Sequence, residues 1–214
     1  MNFTKSIFYL PIFIISCQGK TNIAATHEAN SISEVADSTI QAPVQADTTD
    51  VTLTGQLLAL TSEGLQLVDE ETGKTTDLPY GMPEEELMPV LNTMLSQLSK
   101  PELNSECGAG PLRIATWNNG LGVLFQESEA GDEWQFVGWS MDDRSAEAGK
   151  LTTLSGIGIG STRTQMEEVY AIQVSKTSLG NEFATSSELF GIFDGPGKNA
   201  KITNMWSGVS CNFR

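Results

Sequence analysis

Short apolar runs separated by polar turns fill the chain from residue 51 onward. In LTGQLLALTSEGLQLVDEETGKTTDLPYG the runs have strand length and break at 62–64 and 70–74, which predicts strands joined by turns, the second a hairpin carrying Gly73. The period then changes. In MPEEELMPVLNTMLSQL, Leu87, Leu91, Met94, Leu95 and Leu98 recur at helical spacing and define one buried face. Pro83 and the three glutamates after it suit a first turn, where free amides favour negative charge. Pro89 lacks the amide a helix interior needs and costs about 3 kcal/mol there, so the main helix is expected to start from Pro89 after a short first turn. Strand-length runs return at 112–117, 121–126 and 134–141, with Asn119-Gly120 as a hairpin turn.

The second half repeats this order. SGIGIGSTRTQMEEVY leads through glycines into a helix, with Thr162 and Gln165 spaced as a capping box and Met166, Val169 and Tyr170 as the buried face. NEFATSSELFGIFDG parallels LRIATWNNGLGVLFQ, and AKITNMWSGVSC parallels DEWQFVGWSM. The folded part thereby divides into units at 80–150 and 151–214, each a helix followed by an antiparallel three-stranded meander. Units this small lack a sufficient core and must share one. The expected class is α+β: a tandem repeat of helix and antiparallel β-meander, the sheet packed on helices and preceded by a β-hairpin region at 51–79.

The stretch KSIFYLPIFIISCQGK follows a different logic. Lys5, an apolar run over 6–15 and the small Ser16 before Cys17 have the anatomy of a secretory signal. The run is well short of the about 20 apolar residues that a membrane-spanning helix needs. Ile14, Ile15, Ser16 and Cys17 resemble the bacterial lipobox. That resemblance implies removal of 1–16, acylation of Cys17 and a lipid anchor in a membrane; the alternative is an ordinary signal peptide with a chance cysteine near its end. Gln18, where an inner-membrane retention signal has aspartate, favours the outer membrane if the organism has one. Residues 17–50, rich in Ser, Thr, Ala, Asp and Gln and without aromatics, are expected to be a disordered tether.

Composition then removes several chemistries. The chain carries 12 basic and 27 acidic residues, a net charge of −15, and such a surface repels nucleic acid. Its single histidine, His27, falls in the tether, so the folded part has none for a Ser-His-Asp triad, a Cys-His pair or an HExxH zinc site. No cofactor and no metal site is expected. Cys107 and Cys211 remain once Cys17 is acylated, and in the oxidising compartment of an exported protein they are expected to pair. The competing reading, a cysteine nucleophile, has no histidine to activate it.

A G-I-x-x-G-x-T lead-in to a helix ending in Tyr, carried by 156–170, resembles the β-lactamase-inhibitor-protein-like fold. That fold is also used by the small lipoprotein of the outer-membrane β-barrel assembly machine. ECGAGP, FVGW, LTT followed by GIGIGSTR, and SLGNEF ending in W-x-G-V-S-C are similar to secreted bacterial domains of unassigned function, over 64–214. The first resemblance implies binding of another protein through a sheet face, and the second an exported, disulfide-linked domain. Neither brings catalytic residues.

Trp117, Trp134, Trp139 and Trp206 are the candidate binding face, since tryptophan dominates interface hot spots. Strand alternation in WQFVGW puts Trp134 and Trp139 on opposite faces, one of them turned from the helix-side core and either covered by a loop or open for binding. SGIGIGSTR invites a phosphate-loop reading, but it lacks the GK[ST] ending and its glycines alternate, so a structural turn is expected. An enzyme would have to draw on Glu106, Asp132, Glu133, Glu182 or Asp194, none of which sits in a motif that fixes its geometry. The expected function is that of a lipid-anchored cell-envelope protein, not an enzyme, that binds or assembles with another envelope or extracellular protein. The alternative is a carboxylate-dependent hydrolase acting on an envelope or extracellular glycan.

Overall fold

The computed structural model of the protein describes residues 55–131, 133–145 and 147–211. Strands β1 (Gln56–Thr61), β2 (Gly64–Asp69) and β3 (Thr75–Pro79) form a three-stranded antiparallel sheet in chain order. Helix α1 (Glu84–Met94) follows, then β4 (Glu102–Asn104), β5 (Leu112–Thr116), β6 (Leu121–Glu127) and β7 (Trp134–Asp142). Helix α2 (Arg163–Val169) precedes β8 (Ile172–Thr177), β9 (Gly180–Thr185), β10 (Leu189–Phe193) and β11 (Ile202–Gly208). The last eight strands make one antiparallel sheet in the order β4-β5-β6-β7-β11-β10-β9-β8, with β7 and β11 at its centre.

The expected α+β class, with helices backing a sheet of three-stranded meanders, does not form. The described chain is mainly β: eleven strands in two antiparallel sheets against two helices of 11 and 7 residues. Such short helices cannot cover an eight-stranded sheet, and the three-stranded sheet takes much of that work. Leu60, Leu65 and Leu67 join Leu87 and Leu91 of α1 and Met166 of α2 in one core. Local chemistry explains why the helices are short. Ser96 adopts a φ of 48° just after α1, so Leu98, assigned by its spacing to the buried face, is 88% exposed. Tyr170 is extended and closes α2, although the Thr162/Gln165 capping box forms as its spacing predicts. Pro89 does not delay α1, which starts at Glu84 and runs through it. Burying Leu87, Met88 and Leu91, each contributing about 1.5–3 kcal/mol, offsets the proline's cost.

Register shows where the core lies. Leu121, Met141, Met205, Gly191, Phe183 and Val174 form one cross-strand row from β6 to β8, all on the face turned to the helices and the small sheet. The Phe183 ring lies so close over Gly191 that an added Cβ would come within 2.5 Å of it. In the next row Trp139 pairs directly with Ser207. The Trp139 indole N–H donates to the Thr61 carbonyl at 2.8 Å and the Ser207 hydroxyl to the Ser62 carbonyl at 2.7 Å. The β1–β2 turn is thereby fastened to both central strands.

The opposite, outer face carries a second apolar cluster, in which Cys107, Leu112 and Leu124 are buried and Ile114, Val137, Val209 and Cys211 pack around them. Cys107 and Cys211 form a disulfide across 104 residues, with Cα atoms 5.3 Å apart. It joins the β4–β5 loop to the chain after β11. Replacing Trp139 with Phe keeps the ring but leaves the Thr61 carbonyl without its donor. The expected loss is about 1–3 kcal/mol, read as a lower urea midpoint at unchanged slope; an unchanged midpoint would show that this bond does not hold the sheets.

Candidate functional site

Two regions gather polar and aromatic side chains, one on each face of β5. On the core side, Gly81 donates its amide to the Phe136 carbonyl and Phe136 donates to Met82, so the chain entering α1 lies beside the start of β7. This places Glu84 and Glu85 of the first helical turn around a groove with Arg113, Glu133 and Trp134. Arg113 Nη2 sits 3.1 Å from Glu84 Oε1, and its guanidinium carbon lies 5.4 Å from the Trp134 ring centroid. Burial pushes the Glu84 carboxyl above its ordinary value, and Arg113 draws it back only in part. Among the described residues no set of three or more His, Cys, Asp or Glu is arranged to hold a metal ion.

On the outer face, two grooves adjoin. One, of about 880 Å³, runs beside β4 from Leu98 to Glu106. The other, of about 590 Å³, crosses β5 to β7 toward Ser140, Asp142 and Arg144. They share Ile114 and Thr116 as common lining. Thr116 also begins a cross-strand row that continues through Gly122, Ser140, Trp206, Phe190, Ala184 and Gln173. Trp206 and Phe190 stack at 6.1 Å on this face and belong to neither apolar cluster.

The four tryptophans do not share a surface. Trp117 and Trp139 are buried in the main core, and Trp134 packs against it from the edge. Trp206 lies on the outer face and is 5% exposed, and Trp117, although buried, also lines the groove that crosses β5 to β7. Trp134 and Trp139 were expected on opposite faces, yet both face the core. Phe125 pairs with Phe136 whereas Leu124 pairs with Gly138, so Val137 is an extra residue in β7. Such a bulge resets the alternation, turning Val137 toward the outer cluster and leaving Phe136 and Trp139 both inside.

The candidate carboxylates are dispersed. Glu106 is exposed on the β4–β5 loop and lines the β4 groove, while Glu133 lines the groove on the core side. Glu182 is buried in β9, Asp194 accepts the Lys201 amide at 2.8 Å after β10, and Asp132 lies outside the described residues. Cys17, the lipidation candidate, also lies outside them. In SGIGIGSTR the amides of Gly156, Ile157, Gly158 and Gly160 all donate within the chain, which makes the segment a structural turn. Glu84, Glu85 and Arg113 were missed by the sequence reading. Their one signal is a cation, Arg113, at a core-facing position of the run LRIAT.

No family model matches the chain, and neither a curated protein nor a solved structure matches it.

A carboxyl held above its unfolded value stabilises the fold most when protonated. Its contribution is complete below the unfolded value, about 4.3, and is lost as pH rises through the raised folded value. In denaturant titrations run upward from about pH 4, wild type should lose stability relative to Glu84→Gln as pH rises. A constant gap, or one moving the other way, would contradict the environment assigned to Glu84.

Proposed function

We propose that this protein is a lipid-anchored cell-envelope protein that works as a non-catalytic binding or assembly module for another envelope or extracellular protein. The binding surface is the outer face of the eight-stranded sheet. One observation carries this reading: two adjoining grooves meet at Ile114 and Thr116 on the face opposite the core formed with α1, α2 and the small sheet. A floor of β-strands gives such a surface fixed geometry, and its mixture of apolar and hydroxyl side chains suits protein contacts better than a deep polar cleft would. The acidic chain argues against nucleic acid as the partner.

The anchor is proposed from the lipobox resemblance at 14–17. Among the described residues no helix is long and apolar enough to cross a membrane, and in this reading attachment comes from acyl chains on Cys17. Residues 17–50, expected as the tether, lie outside the described residues.

Two experiments test the halves of this proposal separately. Cys17→Ala should move the protein out of carbonate-washed membranes into the soluble fraction, and retention of the variant there would argue against a lipid anchor. For the binding surface, a photo-reactive residue at Thr116, exposed within the grooves, should capture one predominant protein in cells, while the same residue at Thr76 on the small sheet should not. Equal capture from both positions, or none from Thr116, would end the outer-face reading.

A further inference from the structure

We propose that β8, the free edge of the eight-stranded sheet, pairs antiparallel with β8 of a second copy of this chain, joining the two sheets into one across a two-fold axis at Val174. The contact lies at the opposite end of the sheet from the grooves around β5. It goes beyond the binding-module reading and stands whether or not that reading holds.

The two edges of the sheet are built differently. β4 is three residues long and directly preceded by Pro101, so it offers little backbone for strand addition. β8 is six residues long, holds no proline and pairs with β9 without a register shift. Its hairpin fixes which groups face outward. Thr177 pairs with Gly180 across a two-residue turn, so the bonded pairs recur at Ser175 with Glu182 and at Gln173 with Ala184. The amides and carbonyls of Ile172, Val174 and Lys176 therefore point away from β9, and among the described residues no strand pairs with that side. Ile172 and Val174 are half-buried on the core face, and Val169, 43% exposed, stands just before the strand. An open backbone edge with apolar neighbours is a template for a further strand.

Self-complementarity selects the occupant. Antiparallel addition sets outward-facing residues opposite one another, and an axis at Val174 uses all of them: Val174 meets its own copy, and Ile172 of each chain meets Lys176 of the other. An axis at Lys176 would put like charges directly opposite, and one at Ile172 would carry Val174 and Lys176 past the start of the strand. In the Val174 register, Lys176 of each copy comes to the end of β8 at which α2 delivers the chain. Glu168 stands there, near the end of α2. Lys176 and Glu168 are both exposed, and neither enters an ion pair among the described residues. The axis brings these opposite charges together twice, whereas an unrelated extended segment would leave that complementarity unused. The charge of −15 on each copy opposes approach, but it is screened beyond about 8 Å at physiological ionic strength, and β8 itself holds one cation and no carboxylate.

Sedimentation velocity of the full chain over a concentration series should show a monomer–dimer equilibrium. Val174→Pro removes an amide that β9 does not use, and it should weaken the dimer by about tenfold or more. Lys176→Glu and Glu168→Lys, both at exposed positions, should each weaken it by about tenfold. These two substitutions move the net charge in opposite directions, so an effect of overall acidity would act on them with opposite sign. Combined in one chain they exchange the pair, and the dimer should return to within about threefold of wild type. A monomer at every concentration overturns the proposal. So does a dimer that Val174→Pro leaves intact, or a double exchange no tighter than the single variants.

Discussion

The β1–β2 turn is held by two donors that reach out of the centre of the large sheet. Trp139 and Ser207 are direct partners across β7 and β11, and they donate to the adjacent carbonyls of Thr61 and Ser62. A carbonyl pressed against an apolar sheet face has lost water, and leaving it unpaired costs about 1–3 kcal/mol. The two donors therefore select one position for the turn. Once it is placed, Leu60 and Leu65 lie on the core face, and the small sheet becomes the cover that two short helices could not supply. The arrangement also decides which face remains. With the core side occupied, the outer side is closed, among the described residues, by the disulfide-linked loop and the chain after β11, over Leu112 and Leu124.

Local pattern made most of the strands legible. The Asn119-Gly120 turn forms with the Gly120 amide donating to the Trp117 carbonyl, and the runs around it become β5, β6 and β7. Spacing was equally good for the Thr162 capping box, because the two residues that bond each other are three apart. It failed where the deciding contact is distant. Leu98 keeps helical spacing with Leu91 and Leu95, yet the tertiary bonds of Gln97 and Ser99 pull the chain out of the helix before it. The class was misjudged for a related reason. β4 and β8 carry too many polar residues, Glu102 and Asn104 in one and Gln173, Ser175 and Lys176 in the other, to stand out as strands. Their place comes from pairing along β5 and β9, which no periodicity in the strands themselves records.

The aromatic residues show the same limit. Alternation is a sound rule only for an unbroken strand, and one extra residue at Val137 reverses it for everything downstream. Nothing in WQFVGW marks the bulge. What fixes it is the partner strand, where Phe125 must meet Phe136 while Leu124 meets Gly138, together with the Val209 amide, which donates to the Val137 carbonyl at 2.8 Å. Tryptophan count was therefore a poor guide to the surface. The grooves are formed instead by small and hydroxylated residues such as Thr116, Gly122 and Ser140, whose presence in a strand has no signal of its own.

Strand β5 connects these features. Arg113 points to the core side and meets Glu84 and Trp134, while Leu112 and Ile114 on either side of it join the disulfide cluster on the outer face. The strand is gripped from both sides by elements distant in sequence: the first turn of α1 on one, and the Cys107–Cys211 link on the other. Its end is pinned as well, because the Thr116 carbonyl accepts from Ser99. A partner that binds against Ile114 and Thr116 thus meets a floor whose ordering entropy was already lost in folding, and less of the contact energy is spent on immobilising the surface. Loosening either grip should then weaken recognition, since both the first turn of α1 and the disulfide hold the strand that floors the grooves.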